Sequence, residues 1–325
     1  MKEVRNTPGS GAGYPELKPV DSAEITIVMD NYVDLILDDA EPVKRPVRKK
    51  IMSLDTLAAE HGLSLWLTTR RDGRVRHVLL DTGFSPTGAL HNMDFLGLDP
   101  GLLEAVVLSH GHFDHTGGLK GLLGRLKGGL DLVAHEDAFR DRARKLPDGA
   151  IINFPPALKA EELERLGARM IPAPGPLTIA GETILISGPV PRRTEFEKGM
   201  PGALLKTEEG WKEDEIKDDM ALIIDLGARG LILISGCAHS GIVNTLHWAA
   251  ELTGRDDFAA VIGGFHLSGA AMAPVVEPTI AGLKKYSPGL VMPLHCTGWQ
   301  SAQTISQAFG DRFALASVGS KIVFD

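Results

Sequence analysis

The sequence predicts an α/β fold: two mixed β-sheets packed together with helices outside, a four-layer αββα sandwich. Three observations carry this. Strands come first as hairpins and then alternate with helices, the pattern repeats in the second half, and no composition shift near the middle marks a linker. The order of elements alone is also compatible with a doubly wound sheet.

The elements follow in order. Residues 24–29 are β-rich and end at Asp30-Asn31, and the basic, proline-containing stretch 42–50 reads as a loop. Residues 63–69 and 75–80 form two strands joined by Asp72-Gly73, a hairpin signature. Asp81-Thr82-Gly83 closes the second strand, and a short helix is expected up to Leu96. A short strand over 105–108 runs into Ser109-His110, a helix over 117–126 follows, then a strand over 130–134 and a helix from about Glu136. Residues 159–166 make an amphipathic helix and 183–186 a strand. In the second half, strands over 221–225 and 231–234 flank a turn at 227–230. Helices over 242–252, 277–286 and 301–309 alternate with strands over 259–262, 289–292 and 321–324. The polar, Gly- and Pro-containing residues 1–20 read as a loosely held arm, and 21–325 as one domain of two similar halves.

The chain has 325 residues, 43% of them hydrophobic, which suffices for a large core. A net charge of -8 gives no reason to expect a nucleic-acid partner. No apolar run reaches the roughly 18–20 residues of a membrane helix, and no basic-then-apolar leader opens the chain. Two cysteines, Cys237 and Cys296, are no disulfide framework and fit a reducing cytoplasm. The expectation is a cytoplasmic protein acting on a small molecule, compatible with a homo-oligomer.

The chemistry sits in Ser109-His110-Gly111-His112-Phe113-Asp114-His115-Thr116-Gly117-Gly118. Three imidazoles and a carboxylate within six positions, from only 11 histidines in the chain, argue against chance. Nitrogen and carboxylate ligands suit Zn, Fe or Mn. A tight turn between strand and helix can splay these side chains toward two points, His110 and His112 on one ion, Asp114 and His115 on another. Two ions about 3.5–4 Å apart can stabilise both a nucleophile and a leaving group. A purely structural site would be closed by four protein ligands, often cysteines, and none is near.

The segment resembles the His-x-His-x-Asp-His signature of the metallo-β-lactamase superfamily, whose αββα sandwich agrees with the element order. Gly236-Cys237-Ala238-His239, Gly263-Gly264-Phe265-His266-Leu267, His295-Cys296-Thr297-Gly298 and Gly188-Pro189-Val190-Pro191-Arg192 resemble its dihydropteroate-synthase-like branch. The resemblance runs from about residue 24 to the end. It implies one or two divalent metal ions, most simply Zn, with Mn or Fe as alternatives. His295 is the implied late ligand beside Asp114 and His115, and His239 the third beside His110 and His112. Asp81 is implied to stand behind a ligand and orient it. The chain departs from the commoner pattern: no ligand histidine lies between His135 and His239, and Cys237 stands where a bridging aspartate would fall. Cys237 is therefore a ligand, a bridge, or a small residue packed behind the site, and the metal count stays open.

His266 is expected to face substrate as a proton donor or, in the alternative, to replace His239 as a ligand. Arg192 and Arg193 could clamp a phosphate, or be ordinary surface arginines. His135 reads as structural, and His61, His77, His91 and His247 as surface or helix-packing residues. Three functions follow. The first is a hydrolase in which a metal, by lowering the pKa of its water, supplies hydroxide to a small phosphorylated, ester or lactone substrate, with Asp114 orienting it. The second, implied by the branch, is a transferase joining a dihydropterin diphosphate to an aminobenzene ribofuranosyl phosphate. The third is a non-catalytic or redox metal-binding protein on the same fold.

Overall fold

The structure is a computed structural model and describes residues 13–46, 55–126 and 128–325. Its first sheet has eight strands: β1 (Ser22–Met29), β2 (Val43–Lys44), β3 (Ser64–Arg71), β4 (Arg74–Leu80), β5 (Leu103–Val107), β6 (Leu130–Ala134), β9 (Ala168–Pro172) and β18 (Lys321–Phe324). Their order is β2-β18-β1-β3-β4-β5-β6-β9. The second sheet has six, in the order β10 (Leu177–Ile179), β11 (Ile184–Ile186), β14 (Ala221–Asp225), β15 (Leu231–Ser235), β16 (Phe258–Gly264), β17 (Leu290–Leu294).

Period-2 alternation decides which face is which. In β3, Leu65 and Leu67 join the core between the sheets, with Ile25 and Ile27 of β1 and Ile232 and Ile234 of β15. Trp66 faces the other way, onto α1 (Gly88–Leu96), α3 (Leu119–Arg125) and α4 (Ala160–Arg165); the short α2 (Phe113–Thr116) lies between the first two in sequence. On the far side, Leu231 and Leu233 pack on α5 (Ile242–Thr253), α6 (Ala273–Tyr286) and α7 (Trp299–Phe309). Helix, sheet, sheet, helix is the four-layer sandwich the element order predicts. Fully burying one such Leu or Ile contributes about 1.5–3 kcal/mol.

Within the sandwich, β4, β5, β6 and β9 are mutually parallel, as are β15, β16 and β17. The hairpin of β3 and β4 turns at Asp72 and Gly73, both at positive φ, as a tight two-residue turn requires.

A third, four-stranded antiparallel sheet departs from the expectation. Its order is β13 (Gly210–Glu213), β12 (Ala203–Thr207), β7 (Arg142–Lys145), β8 (Ile151–Asn153). The helix expected from Glu136 is a single 3-10 turn, Glu136–Phe139, before β7. Arg-Ala-Arg-Lys in β7 and a short β8 exposed along its length carry no apolar alternation, so the pattern that reveals the other strands is missing here. The expected loop 42–50 holds β2, and its residues 47–50 lie outside the described residues. Of the expected arm, residues 1–12 also lie outside them. From Gly13 onward the arm is not loose: the Val20 amide donates to the Asp225 carbonyl at 2.8 Å, and Tyr14 packs edge-on against Trp248. Among the described residues no helix is long and apolar enough to cross a membrane.

Candidate metal centre

The carboxyl ends of five parallel-sheet strands meet at one rim. Asp81 ends β4, Ser109–His112 follow β5, and Cys237, His266 and His295 follow β15, β16 and β17. Four residues here, Asp81, Ala238, His266 and His295, sit at positive φ without being glycine. That conformation costs about 1–2 kcal/mol per residue and persists only where neighbours enforce it. At His295 the enforcement is visible: Asp30 Oδ1 accepts its amide at 2.8 Å, and Asn31 Nδ2 donates to its carbonyl at 3.0 Å.

The first cluster is three nitrogens. His110 Nε2 lies 2.9 Å from His112 Nδ1, and His239 Nε2 lies 3.2 and 3.1 Å from them. Ser109 fixes one tautomer. Its single hydroxyl proton goes to Asp81 Oδ2 at 2.7 Å, so His110 Nδ1–H must donate to Ser109 Oγ at 2.9 Å. His110 Nε2 is then a bare lone pair aimed at two other nitrogens. Burial, reinforced by neighbouring histidines and Arg142, lowers all three imidazoles well below the usual range and keeps them neutral. Such a triangle cannot be satisfied by sharing protons pairwise and could hold a cation.

The second cluster is chemically different. His115 Nδ1 donates to Asp81 Oδ2 at 2.6 Å, and its Nε2 lies 3.1 Å from Cys237 Sγ. Burial alone would lower His115, but the Asp81 and Asp114 carboxylates outweigh it and push the ring up to about 9. A cation at Nε2 draws on the same field. His295 Nε2 is buried without a hydrogen-bond partner, 3.2 Å from Asp114 Oδ2. Burial would raise Asp114, yet His115 and His295 hold it below the ordinary carboxylate range.

The expected ligands lie side by side without a clean division: His110, His112 and His239 converge, Asp114 meets His295, and His115 groups with His110 and Cys237. Cys237 does not stand behind them. Its sulfur lies among them, grouped with His110 and His115, with His239 and His266, and with His295 and Cys296. His266 is half-buried, with its ring centroid 4.2 Å from that of His239, and it lines the open cavity beside the clusters, about 630 Å³. Arg192 and Arg193 are not among the residues lining that cavity. Arg192 donates to the carbonyls of Glu215 and His239, and Arg193 pairs with Glu251 while lying over the Trp248 ring.

The cavity holds two residues that sequence reasoning passed over. His61 is exposed, as expected of a surface histidine, but its Nε2 is 3.7 Å from Asp114 Oδ2. Arg144, in β7, is the one Arg or Lys among the described residues that line the cavity. The site's supports were also missed. Arg142 donates to Asp214 at 2.8 Å and Asp218 at 2.6 Å, and Asp218 accepts the Gly111 amide at 2.7 Å. A Cβ on Gly111 would lie 2.3 Å from the Ala138 carbonyl, so only glycine permits this approach. Asp219 accepts the Ser240 amide at 2.8 Å, and Glu197 caps α5 through the Val243 and Asn244 amides.

Comparison with known proteins shows the family. The family model for the metallo-beta-lactamase superfamily matches residues 71–208. The chain belongs to that superfamily. Within it, the chain is 31% identical over 269 residues to the 7,8-dihydropterin-6-methyl-4-(beta-D-ribofuranosyl)-aminobenzene-5'-phosphate synthase of Methanocaldococcus jannaschii, covering 82% of this chain and 90% of that one. An uncharacterised protein of the same organism is also 31% identical, over 81% of this chain and 93% of its own length. Among solved structures, Tm1679, a metal-dependent hydrolase of the beta-lactamase superfamily, superposes with a TM-score of 0.70 at 23% identity, over 92% of this chain and 98% of that one. The last likeness speaks for the fold.

Proposed function

We propose that the chain is a metal-dependent enzyme that displaces a phosphate-type leaving group from a small phosphorylated substrate, most simply as a transferase of the synthase kind. The observation that carries the metal is the triangle of His110, His112 and His239 nitrogens 2.9–3.2 Å apart, beside Asp114, His115, His295 and Cys237. A divalent ion there, zinc being the simplest choice for this N, O and S set, would supply Lewis-acid stabilisation of developing oxyanion charge. Asp81 holds the His115 ring through Nδ1, and Asn31 lies 3.2 Å from His295 Nδ1, so both rings present Nε2 to the site. His266 lines the cavity wall and would give a proton to a leaving oxygen. Arg144 takes the anion-binding role that the sequence offered to Arg192 and Arg193.

The synthase kind is favoured over a hydrolase by the 31% identity across 90% of the named synthase. Hydrolysis remains the second reading because the cavity is open to solvent and admits water as acceptor. One assay separates them: pyrophosphate release from a dihydropterin diphosphate, with and without an arylamine ribofuranosyl phosphate. Release that needs the amine supports the transferase. Release without it supports the hydrolase. No release from the metal-loaded protein sinks the pterin substrate.

A further inference from the structure

We propose that His61 is a metal ligand of the second cluster, entering from the solvent side. The inference rests on the metal-dependent reading above. His61 Nε2 lies 3.7 Å from Asp114 Oδ2, and with His295 Nε2 these donor atoms all lie within 4.8 Å of one another. Ligands 2.0–2.2 Å from a tetrahedral zinc sit roughly 3.4 Å apart, so a small rotation of an exposed ring brings His61 into that shell. Its side chain is 65% exposed, against 12% for Asp114 and none for His295, which makes it the outermost donor of the three.

An exposed histidine near a carboxylate can also be a weak surface ion pair, worth about 0–1 kcal/mol. The backbone argues otherwise, because His61 is carried on a segment fixed directly to the motif. The Leu63 amide donates to the Asp114 carbonyl at 3.2 Å. A Cβ on Gly62 would meet the Phe84 amide nitrogen at 2.5 Å and the Asp114 carbonyl oxygen at 2.9 Å, so the approach requires glycine. On the other side, Glu60 Oε1 accepts the Phe84 and Ser85 amides at 2.9 and 3.1 Å. The ring also lies 4.9 Å from that of His295, tilted by 36°. A chance surface residue has no need of such anchoring, whereas a ligand must be held near its ion.

The role follows from exposure. His115 and His295 are fully buried and hold their positions whatever enters the cavity. His61 is the donor that an anionic substrate oxygen can displace, which would open a coordination position without disturbing the buried ligands.

The test uses full-length protein, stripped by chelator and reloaded with Zn²⁺ or Co²⁺, comparing wild type with His61→Ala and His61→Gln. Metal content, affinity by competition with a chromophoric chelator, and the Co²⁺ visible spectrum are read. The expected result is at least about a tenfold loss of affinity for one ion in His61→Ala, with a changed Co²⁺ band and the other ion retained. Circular dichroism should be unchanged because the side chain is mostly exposed. Equal affinities and an identical Co²⁺ spectrum in wild type and both variants would overturn the assignment of His61 alone. A wild type that takes up no ion would overturn the metal-dependent reading beneath it.

Discussion

The two clusters at the rim lie side by side and are built on opposite electrostatic principles. His110, His112 and His239 are three neutral imidazoles, kept neutral by burial and by the neighbouring histidines and Arg142. His115 and His295 stand among Asp81, Asp114 and Cys237, where His115 is driven up to about 9. The first could hold a cation through lone pairs that have no other partner, and the second through negative charge. Their supports differ as well. Arg142, Asp214 and Asp218 of the small-sheet region hold the turn of the first, while Asp30, Asn31 and Asp81, at the ends of β1 and β4, hold the second.

The largest effect expected is on the support of the first cluster. Arg142→Ala leaves Asp214 and Asp218 buried without their cation and loosens the Gly111 amide contact. We expect about 3–5 kcal/mol of lost stability in urea unfolding, with the metal capacity of the first cluster reduced before that of the second. An equal loss from both clusters would break the comparison.

A smaller effect is expected at Asp219, whose carboxylate is raised to about 6 by burial, against the amides of Ser240 and His239. The folded value lies above the ordinary aspartate value of 3.8, so the fold prefers the protonated form. The penalty is absent below about pH 4, grows between 4 and 6, and is full above 6. Asp219→Asn removes the titration. Relative to wild type, the variant should gain on the order of 2–3 kcal/mol between pH 4 and pH 8, read as the difference in unfolding free energy. A pH-independent difference would show that burial does not act on this group as described.

The mildest prediction sharpens the second cluster. Asp81→Asn keeps the shape but removes the charge facing His115 Nδ1. Metal affinity at that cluster should fall about 10–100-fold, with the first cluster little changed. Unchanged affinity at both would mean that Asp81 is only the turn residue its place after β4 allows.

The motif from His110 to His115 was legible because its residue types are rare and closely spaced, and the sandwich because its strands alternate and its helices are amphipathic. Cys237 could be read as a ligand, a bridge or a residue behind the site, and the sequence could not choose among these; the structure puts its sulfur among the possible donor atoms. His61 was passed over because a histidine in Glu-His-Gly has no pattern of its own. The clue was Gly62, whose need for glycine is apparent only once the Asp114 carbonyl lies against it. Arg142 and Arg144 were hidden for the same reason as their strand, which carries charge where alternation would have marked it. Arg192 and Arg193 drew attention by chemistry and proline context, but the fold spends them on backbone carbonyls and on Glu251.

Metal stoichiometry is the most direct test of the central claim, measured by elemental analysis on protein purified without chelator, for wild type, His239→Ala and His266→Ala. The account predicts about two ions in wild type, the loss of one in His239→Ala, and none lost in His266→Ala. A wild type without metal under replete conditions, or loss in His266→Ala with His239→Ala intact, would contradict it.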